Sequence, residues 1–109
     1  MWLFCRSGFF SAVRHFADPD TIHVRARFGG DLERLCGAHG VEPKVSVTPG
    51  NDYRYRMDFD RATWARIVAE EAEAIDYENF KATVHDGTVR DAAYMGAWGA
   101  MRRGQERMA

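Results

Sequence analysis

Thr21-Ile22-His23-Val24-Arg25-Ala26-Arg27-Phe28, then Gly29-Gly30, then Asp31-Leu32-Glu33-Arg34-Leu35 carry the transition from strand to helix around which the rest of this chain is arranged. Side chains of a strand alternate between two faces, so Val24, Ala26 and Phe28 are expected on one face and Arg25 and Arg27 on the other. The two glycines stop the strand. Asp31 then serves as N-cap or first-turn acid of a short helix that reaches about His39, with Gly40 as its stop.

The same alternation returns in Tyr53-Arg54-Tyr55-Arg56-Met57. If both segments belong to one sheet, Arg25, Arg27, Arg54 and Arg56 gather on one face. Such a cluster repels itself unless a carboxylate or a phosphate meets it.

Outward from this centre, Trp2-Leu3-Phe4-Cys5 reads as a strand, Ser7-Gly8 as a tight turn and Phe9 to Phe16 as a returning strand. Asp18-Pro19-Asp20 is turn chemistry that leads into Thr21. After Pro43, Lys44 to Thr48 alternates again, and Pro49-Gly50-Asn51-Asp52 turns the chain into Tyr53 to Phe59. Asp60 is a natural cap for a helix carrying Trp64, Ile67, Val68, Ala72 and Ile75 at helical spacing. Residues 76–85 read as a further helical turn or two, with Asp76 capping and Tyr77 and Phe80 packed inward. A last helix is expected from about Thr88 to Arg103.

This order contains the β-α-β-β-α run of a ferredoxin-like fold from Thr21 onward, with the N-terminal hairpin free to supply the missing strand. The expected class is α+β: a ferredoxin-like-related two-layer sandwich with a mostly antiparallel sheet, an extra N-terminal hairpin and C-terminal helices. Helices on one sheet face would cover Val24, Ala26, Phe28, Val45, Val47, Tyr53, Tyr55, Met57 and Phe59. The other face would show Arg25, Arg27, Lys44, Ser46, Arg54, Arg56 and Asp58.

A length of 109 residues with 46% hydrophobic and 28% charged content fits one compact domain spanning 1–109. A chain of this size buries roughly two-thirds of its unfolded surface. Fifteen basic and sixteen acidic residues give a net charge of −1, which argues against a surface built entirely for nucleic acid. Binding by charge must then come from segregation. Glu70, Glu71, Glu73, Asp76 and Glu78 are acidic neighbours, whereas the two alternating segments and Arg102, Arg103 and Arg107 are basic.

Cys5 and Cys36 are too few for a disulfide scaffold and lack the partners of a zinc site, so both are read as free thiols. The apolar start Met1-Trp2-Leu3-Phe4 is interrupted at Arg6 before it reaches the length of a membrane span. The expected location is the cytoplasm, without membrane partners.

The chain resembles a family of small bacterial proteins without an established activity. Shared features are the opening Met1-Trp2-Leu3-Phe4 and Gly8-Phe9-Phe10-Ser11, then Val24-Arg25-Ala26-Arg27, Gly30-Asp31-Leu32-Glu33, Thr48-Pro49, Asp52-Tyr53-Arg54-Tyr55-Arg56 and Ile75-Asp76-Tyr77-Glu78-Asn79-Phe80-Lys81. The resemblance covers most of the chain and implies a compact domain and no catalytic residue. Proteins of this size are also common in bacteriophage genomes, where many bind and inhibit a host protein.

The arginine face with Lys44 is the main candidate site, as a platform for phosphate or another anion. A solvated face, or one neutralised by Glu70, Glu71 and Asp58, is the competing reading. Sheet readers of RNA also stack bases on exposed aromatics, and Tyr53 and Tyr55 are expected to point away from the arginines. His15 and His23 flank the first turn and would form an acid–base or metal site only with an acid such as Asp18 or Asp20 beside them. His39 and His85 add no ligand spacing, and no catalytic set, metal or cofactor motif is present. Tyr77, Phe80, Tyr94 and Trp98 are candidate interface residues, for a protein partner or a homodimer.

Two functions follow. The first is a non-catalytic binding or regulatory domain for a protein or anionic partner, which includes an inhibitor of a host protein. The second is a nucleic-acid-binding or nucleic-acid-processing protein, whose catalytic form needs a histidine or aspartate within hydrogen-bond reach of the guanidinium cluster.

Overall fold

A computed structural model describes residues 1–108, and the chain divides into two compact units, Met1–Asp76 and the residues from Tyr77 onward. The first unit holds strands β1 (Trp2–Cys5), β2 (Gly8–Arg14), β3 (Thr21–Ala26), β4 (Ser46–Val47) and β5 (Tyr55–Asp60), with helices α1 (Asp31–Ala38) and α2 (Arg61–Glu73). All pairings are antiparallel, in the order β1-β2-β3-β5-β4. The fold is α+β. Because β3 and β4 both lie antiparallel to β5 between them, the β3-α1-β4-β5-α2 segment is a split βαβ arrangement. On the free side of β3, the place of the missing strand is taken by β2.

Helix α1 packs on β2 and β5, and α2 packs on β3 and β5. The core between them and the sheet is built from Phe10, Ala12, Ile22, Val24, Ala26, Met57 and Phe59 on the sheet side and Leu32, Leu35, Cys36, Trp64 and Ile67 on the helix side. These sheet residues sit at every second position, the periodicity of a half-buried strand. The alternate residues form the opposite face, which carries the candidate site.

The helix starts differ in mechanism. Asp60 caps α2 as expected, its carboxylate accepting from Thr63 N–H at 2.8 Å and from the Thr63 hydroxyl at 2.8 Å. Asp31 does not cap α1. Gly30 occupies the N-cap with φ 92° and no side-chain bond, while the Asp31 carboxylate is fully buried. It accepts the Phe9 N–H at 3.2 Å and pairs with Arg34, so it closes the β1–β2 turn from the helix side. Gly8 is what admits it, because a Cβ there would lie 2.4 Å from the Asp31 carboxyl carbon.

His39, at the end of α1, is wedged between two carboxylates of α2, with Nδ1 2.8 Å from Glu70 and Nε2 2.9 Å from Glu71. Arg66 adds a bond to the His39 carbonyl at 3.2 Å. The acidic run on α2 is therefore consumed by fastening the two helices to each other.

In the second unit, α3 (Phe80–Val84) and α4 (Val89–Met108) follow the expected placement, although α4 runs to Met108 and not Arg103. Asn79 caps α3 through a 3.1 Å bond from Ala82 N–H, in the role expected of Asp76, which instead pairs with Arg6 at 2.9 Å.

Candidate functional site: the open sheet face

Register places Trp2 opposite Ser11, Ser11 opposite Arg25, Arg25 opposite Arg56 and Arg56 opposite Ser46. These five residues form a single row across all five strands on the face away from α1 and α2. At its centre two arginines are direct cross-strand partners. Like charges directly opposite in a sheet destabilise by roughly 0.2–1 kcal/mol, so the row contains an electrostatic cost that an anion would remove.

Arg25 donates to the Ser11 hydroxyl at 2.8 Å and lies 4.6 Å from the Tyr53 ring centroid. Its Nε–H is buried without an acceptor. Arg27 lies 4.0 Å from the same ring and donates to the Asp52 carbonyl at 2.9 Å. Arg56 donates to the Tyr53 carbonyl at 3.2 Å and is 3.9 Å from the Asp52 carboxylate. Among the described residues, that long contact is the one approach of a carboxylate within 4 Å to Arg25, Arg27 or Arg56.

The acids that might have neutralised this face are spent elsewhere. Glu70 and Glu71 bind His39, with Arg66 on Glu70 and Ser7 on Glu71. Asp58 is on the open face but binds His23 Nδ1 at 2.6 Å.

Two expected placements are corrected. Continuous alternation from Tyr53 would put Tyr53 on the helix side and Arg54 beside Arg56. Strand β5 begins only at Tyr55, because the residues before it are held as a turn: Tyr53 N–H bonds the Asp52 carboxylate, and the Thr48 hydroxyl bonds the carbonyls of Tyr53 and Arg54. Tyr53 consequently swings to the arginine side, where it is buried under Arg25 and Arg27. Arg54 is exposed and outside the ladder. Arg27 likewise lies just past the end of β3 but stays with the cluster through Tyr53. Tyr55 keeps its place against the core, while Val47 on edge strand β4 is exposed.

Lys44 joins His23, Ser46, Arg56, Met57 and Asp58 around a cavity of about 300 Å3 at the β4 end of the face. His15 lies beside His23, with ring centroids 6.3 Å apart, and Asp58 supplies the acid expected from Asp18 or Asp20. With Nδ1–H donated to Asp58, His23 Nε2 accepts from Arg56 Nη1 at 3.4 Å. His15 Nδ1 accepts Ala17 N–H at 3.1 Å, leaving Nε2 3.9 Å from Asp58. A histidine therefore does touch the guanidinium cluster. Both of its nitrogens are already engaged, so this arrangement orients Arg56 rather than presenting a free base. No group of three or more metal-binding side chains lies among the described residues.

The face carries one component that the sequence analysis missed. Trp2 is 71% exposed and Phe4 37% exposed on the outer side of β1, with Phe9 beneath them. Phe4 stacks on Phe9 at 4.4 Å and Trp2 meets its edge at 5.9 Å. The signal was present: Trp2, Leu3 and Phe4 make β1 apolar on both faces, although only the Leu3 side packs on the core.

The candidate interface residues of the second unit divide. Tyr94 is buried, stacked at 6.4 Å on Phe80, which in turn lies 5.8 Å from Tyr77. Trp98 is 45% exposed, with Lys81 Nζ 3.7 Å from its ring and Arg102 at 5.5 Å.

No helix among the described residues is long and apolar enough to cross a membrane. Comparison with protein-family models, curated proteins and solved structures finds no match to this chain.

Proposed function

We propose that this protein is a binding domain whose open sheet face receives a phosphate-bearing or otherwise anionic partner. The observation that carries this reading is the cross-strand pairing of Arg25 and Arg56 with no carboxylate among the described residues in close contact, since Asp52 stays 3.9 Å from Arg56 and Asp58 is held by His23. The buried, unsatisfied Nε–H of Arg25 points the same way, since buried donors without acceptors are rare and costly. Arg27 extends the positive surface past β3, and Lys44 and Arg54 extend it towards β4.

Guanidinium groups bind phosphate with two parallel hydrogen bonds, and anchoring on Tyr53 lowers the ordering cost of Arg25 and Arg27. The net charge of −1 does not oppose this, because Glu70 and Glu71 on α2 are engaged by His39 and the arginines are gathered on the sheet. The occupied state of both His23 nitrogens favours binding over catalysis.

The test is retention on an immobilised polyanion across a salt gradient, comparing wild type with Arg25→Ala/Arg56→Ala. The reading expects salt-sensitive retention by wild type and none by the variant. Equal behaviour of the two proteins would remove it.

A further inference from the structure

Beside the arginine pair, on the same face and in the same row, stands the exposed ring of Trp2. Adjacent strands lie about 4.8 Å apart, so Trp2 is about 10 Å from Arg25 across the sheet, with Ser11 between them. Resting on the anion-binding reading above, we propose that the occupant of this face is a single-stranded nucleic acid, its backbone on Arg25, Arg56 and Arg27 and an unpaired base on Trp2.

The argument is one of paired chemistry. A carboxylate-rich protein partner or a small phosphate explains the arginines but not a tryptophan held mostly in water. A purely apolar partner explains the tryptophan but not an unneutralised guanidinium row beside it. An unpaired nucleotide strand presents phosphate and an aromatic face at every repeat, and both halves of this surface have a use for it. A duplex hides the faces of its bases in its own stack and leaves Trp2 without a role. The ring geometry suits the task, since Trp2 meets the Phe9 ring at right angles and is held 71% exposed. Tyr53, on the arginine side but 4% exposed, is the pedestal of two guanidinium groups and is not itself available for stacking.

Charge reads the backbone and π-stacking accepts any base, so sequence preference is expected to be weak. No feature of the face selects for a 2′-hydroxyl, and RNA and DNA strands are separate arms of the test.

The experiment is fluorescence anisotropy of labelled single-stranded RNA, single-stranded DNA, a duplex of the same length and poly-glutamate. Wild type, Trp2→Ala, Trp2→Phe and Arg25→Ala/Arg56→Ala are compared, each checked for an unchanged thermal transition. The inference expects single strands to bind more tightly than the duplex, Trp2→Ala to lose about tenfold in affinity for single strands only, and Trp2→Phe to recover most of it. Equal affinity for single strand and duplex with no effect of Trp2→Ala overturns the inference while the anion reading stands. Binding of labelled poly-glutamate with no measurable nucleic-acid affinity does the same and assigns the face to an acidic protein. If no polyanion binds, the anion reading fails as well.

Discussion

Arg25 and Arg56 are direct cross-strand partners on β3 and β5, and among the described residues no carboxylate lies closer to either than the 3.9 Å between Arg56 and Asp52. A folded protein tolerates such a pair when other contacts compensate for the repulsion. Here the compensation is partial: one hydrogen bond from Arg25 to Ser11, one from Arg56 to the Tyr53 carbonyl, and the Tyr53 ring against Arg25. These hold the guanidinium groups in place without discharging them.

Removing the pair should therefore change stability little. Loss of the cation–π contact costs about 0.5–1 kcal/mol, while relief of the like-charge contact returns about 0.2–1 kcal/mol. The expected net change for Arg25→Ala/Arg56→Ala is within about 1 kcal/mol of wild type by urea unfolding. A loss of several kcal/mol would assign the arginines to structural pairing instead.

An anion that binds the folded state raises its melting temperature by mass action. Phosphate should stabilise wild type more than chloride does at equal ionic strength, and the excess should vanish in the double variant. Differential scanning fluorimetry reads both. An identical phosphate effect in the two proteins would mean that the anion acts on the solvent and not on this face.

Gly8 and Asp31 form a coupled pair, because the carboxylate occupies the space that any side chain at position 8 would need. Gly8→Ala should cost more than about 2 kcal/mol, and Asp31→Ala about 1–3 kcal/mol by stranding the Phe9 N–H. The double variant should cost clearly less than the sum of the two single variants, since the clash is gone once the carboxylate is removed. Strict additivity in a double-mutant cycle would contradict the packing described.

The His39 clamp makes stability depend on pH in a defined direction. Burial of the ring opposes its charge, but the hydrogen bonds and charges of Glu71 and Glu70 outweigh this and raise its pKa above the usual 6.5. Its bond to His39, and secondarily to Arg66, holds the Glu70 pKa below the usual 4.5. A raised histidine stabilises fully below its unfolded value and loses that contribution as pH rises through the folded value. A depressed carboxylate stabilises above its unfolded value and loses that contribution on acidification. The clamp is strongest between about pH 4.5 and 6.5. The difference in melting temperature between wild type and His39→Gln should be largest in that window and shrink as pH rises above it. A difference that grows with pH would contradict this assignment.

Neither thiol is built to react. Burial is the main cause that pushes Cys5 up to about 11, with Glu71 adding to it, and burial likewise raises Cys36. The native protein at pH 8 should leave both cysteines unmodified by a thiol reagent that labels two equivalents after unfolding. Rapid labelling of Cys5 in the native state would show an accessible thiolate.

Much of this fold was legible because strand and helix periodicity act over short range. Val24, Ala26, Met57 and Phe59 announce a half-buried sheet, and Trp64 and Ile67 announce the helix above it. Even the position of the extra hairpin followed from the incomplete βαββα order. Contacts made across distance in sequence were not legible. Nothing local distinguishes Asp31 as a helix cap from Asp31 as the closure of a turn 22 residues earlier. Tyr53 read as a continuation of β5 because the Asp52 and Thr48 bonds that turn it out of register are tertiary choices. The site was half visible. Arg25 and Arg56 could be paired in principle from alternation, but that Glu70 and Glu71 would be consumed by His39, and that Asp58 rather than Asp18 or Asp20 would sit with His15 and His23, required the register.

The most direct test of the central claim is an arginine side-chain NMR titration, following the Nε–Hε resonances as pyrophosphate is added to the folded protein. The account predicts that the signals of Arg25 and Arg56 move together and saturably, with Arg27 following and Arg66, whose guanidinium is paired with Glu70, unmoved. Perturbation centred on Arg102, Arg103 and Arg107, or no saturable shift at Arg25 and Arg56, would contradict it.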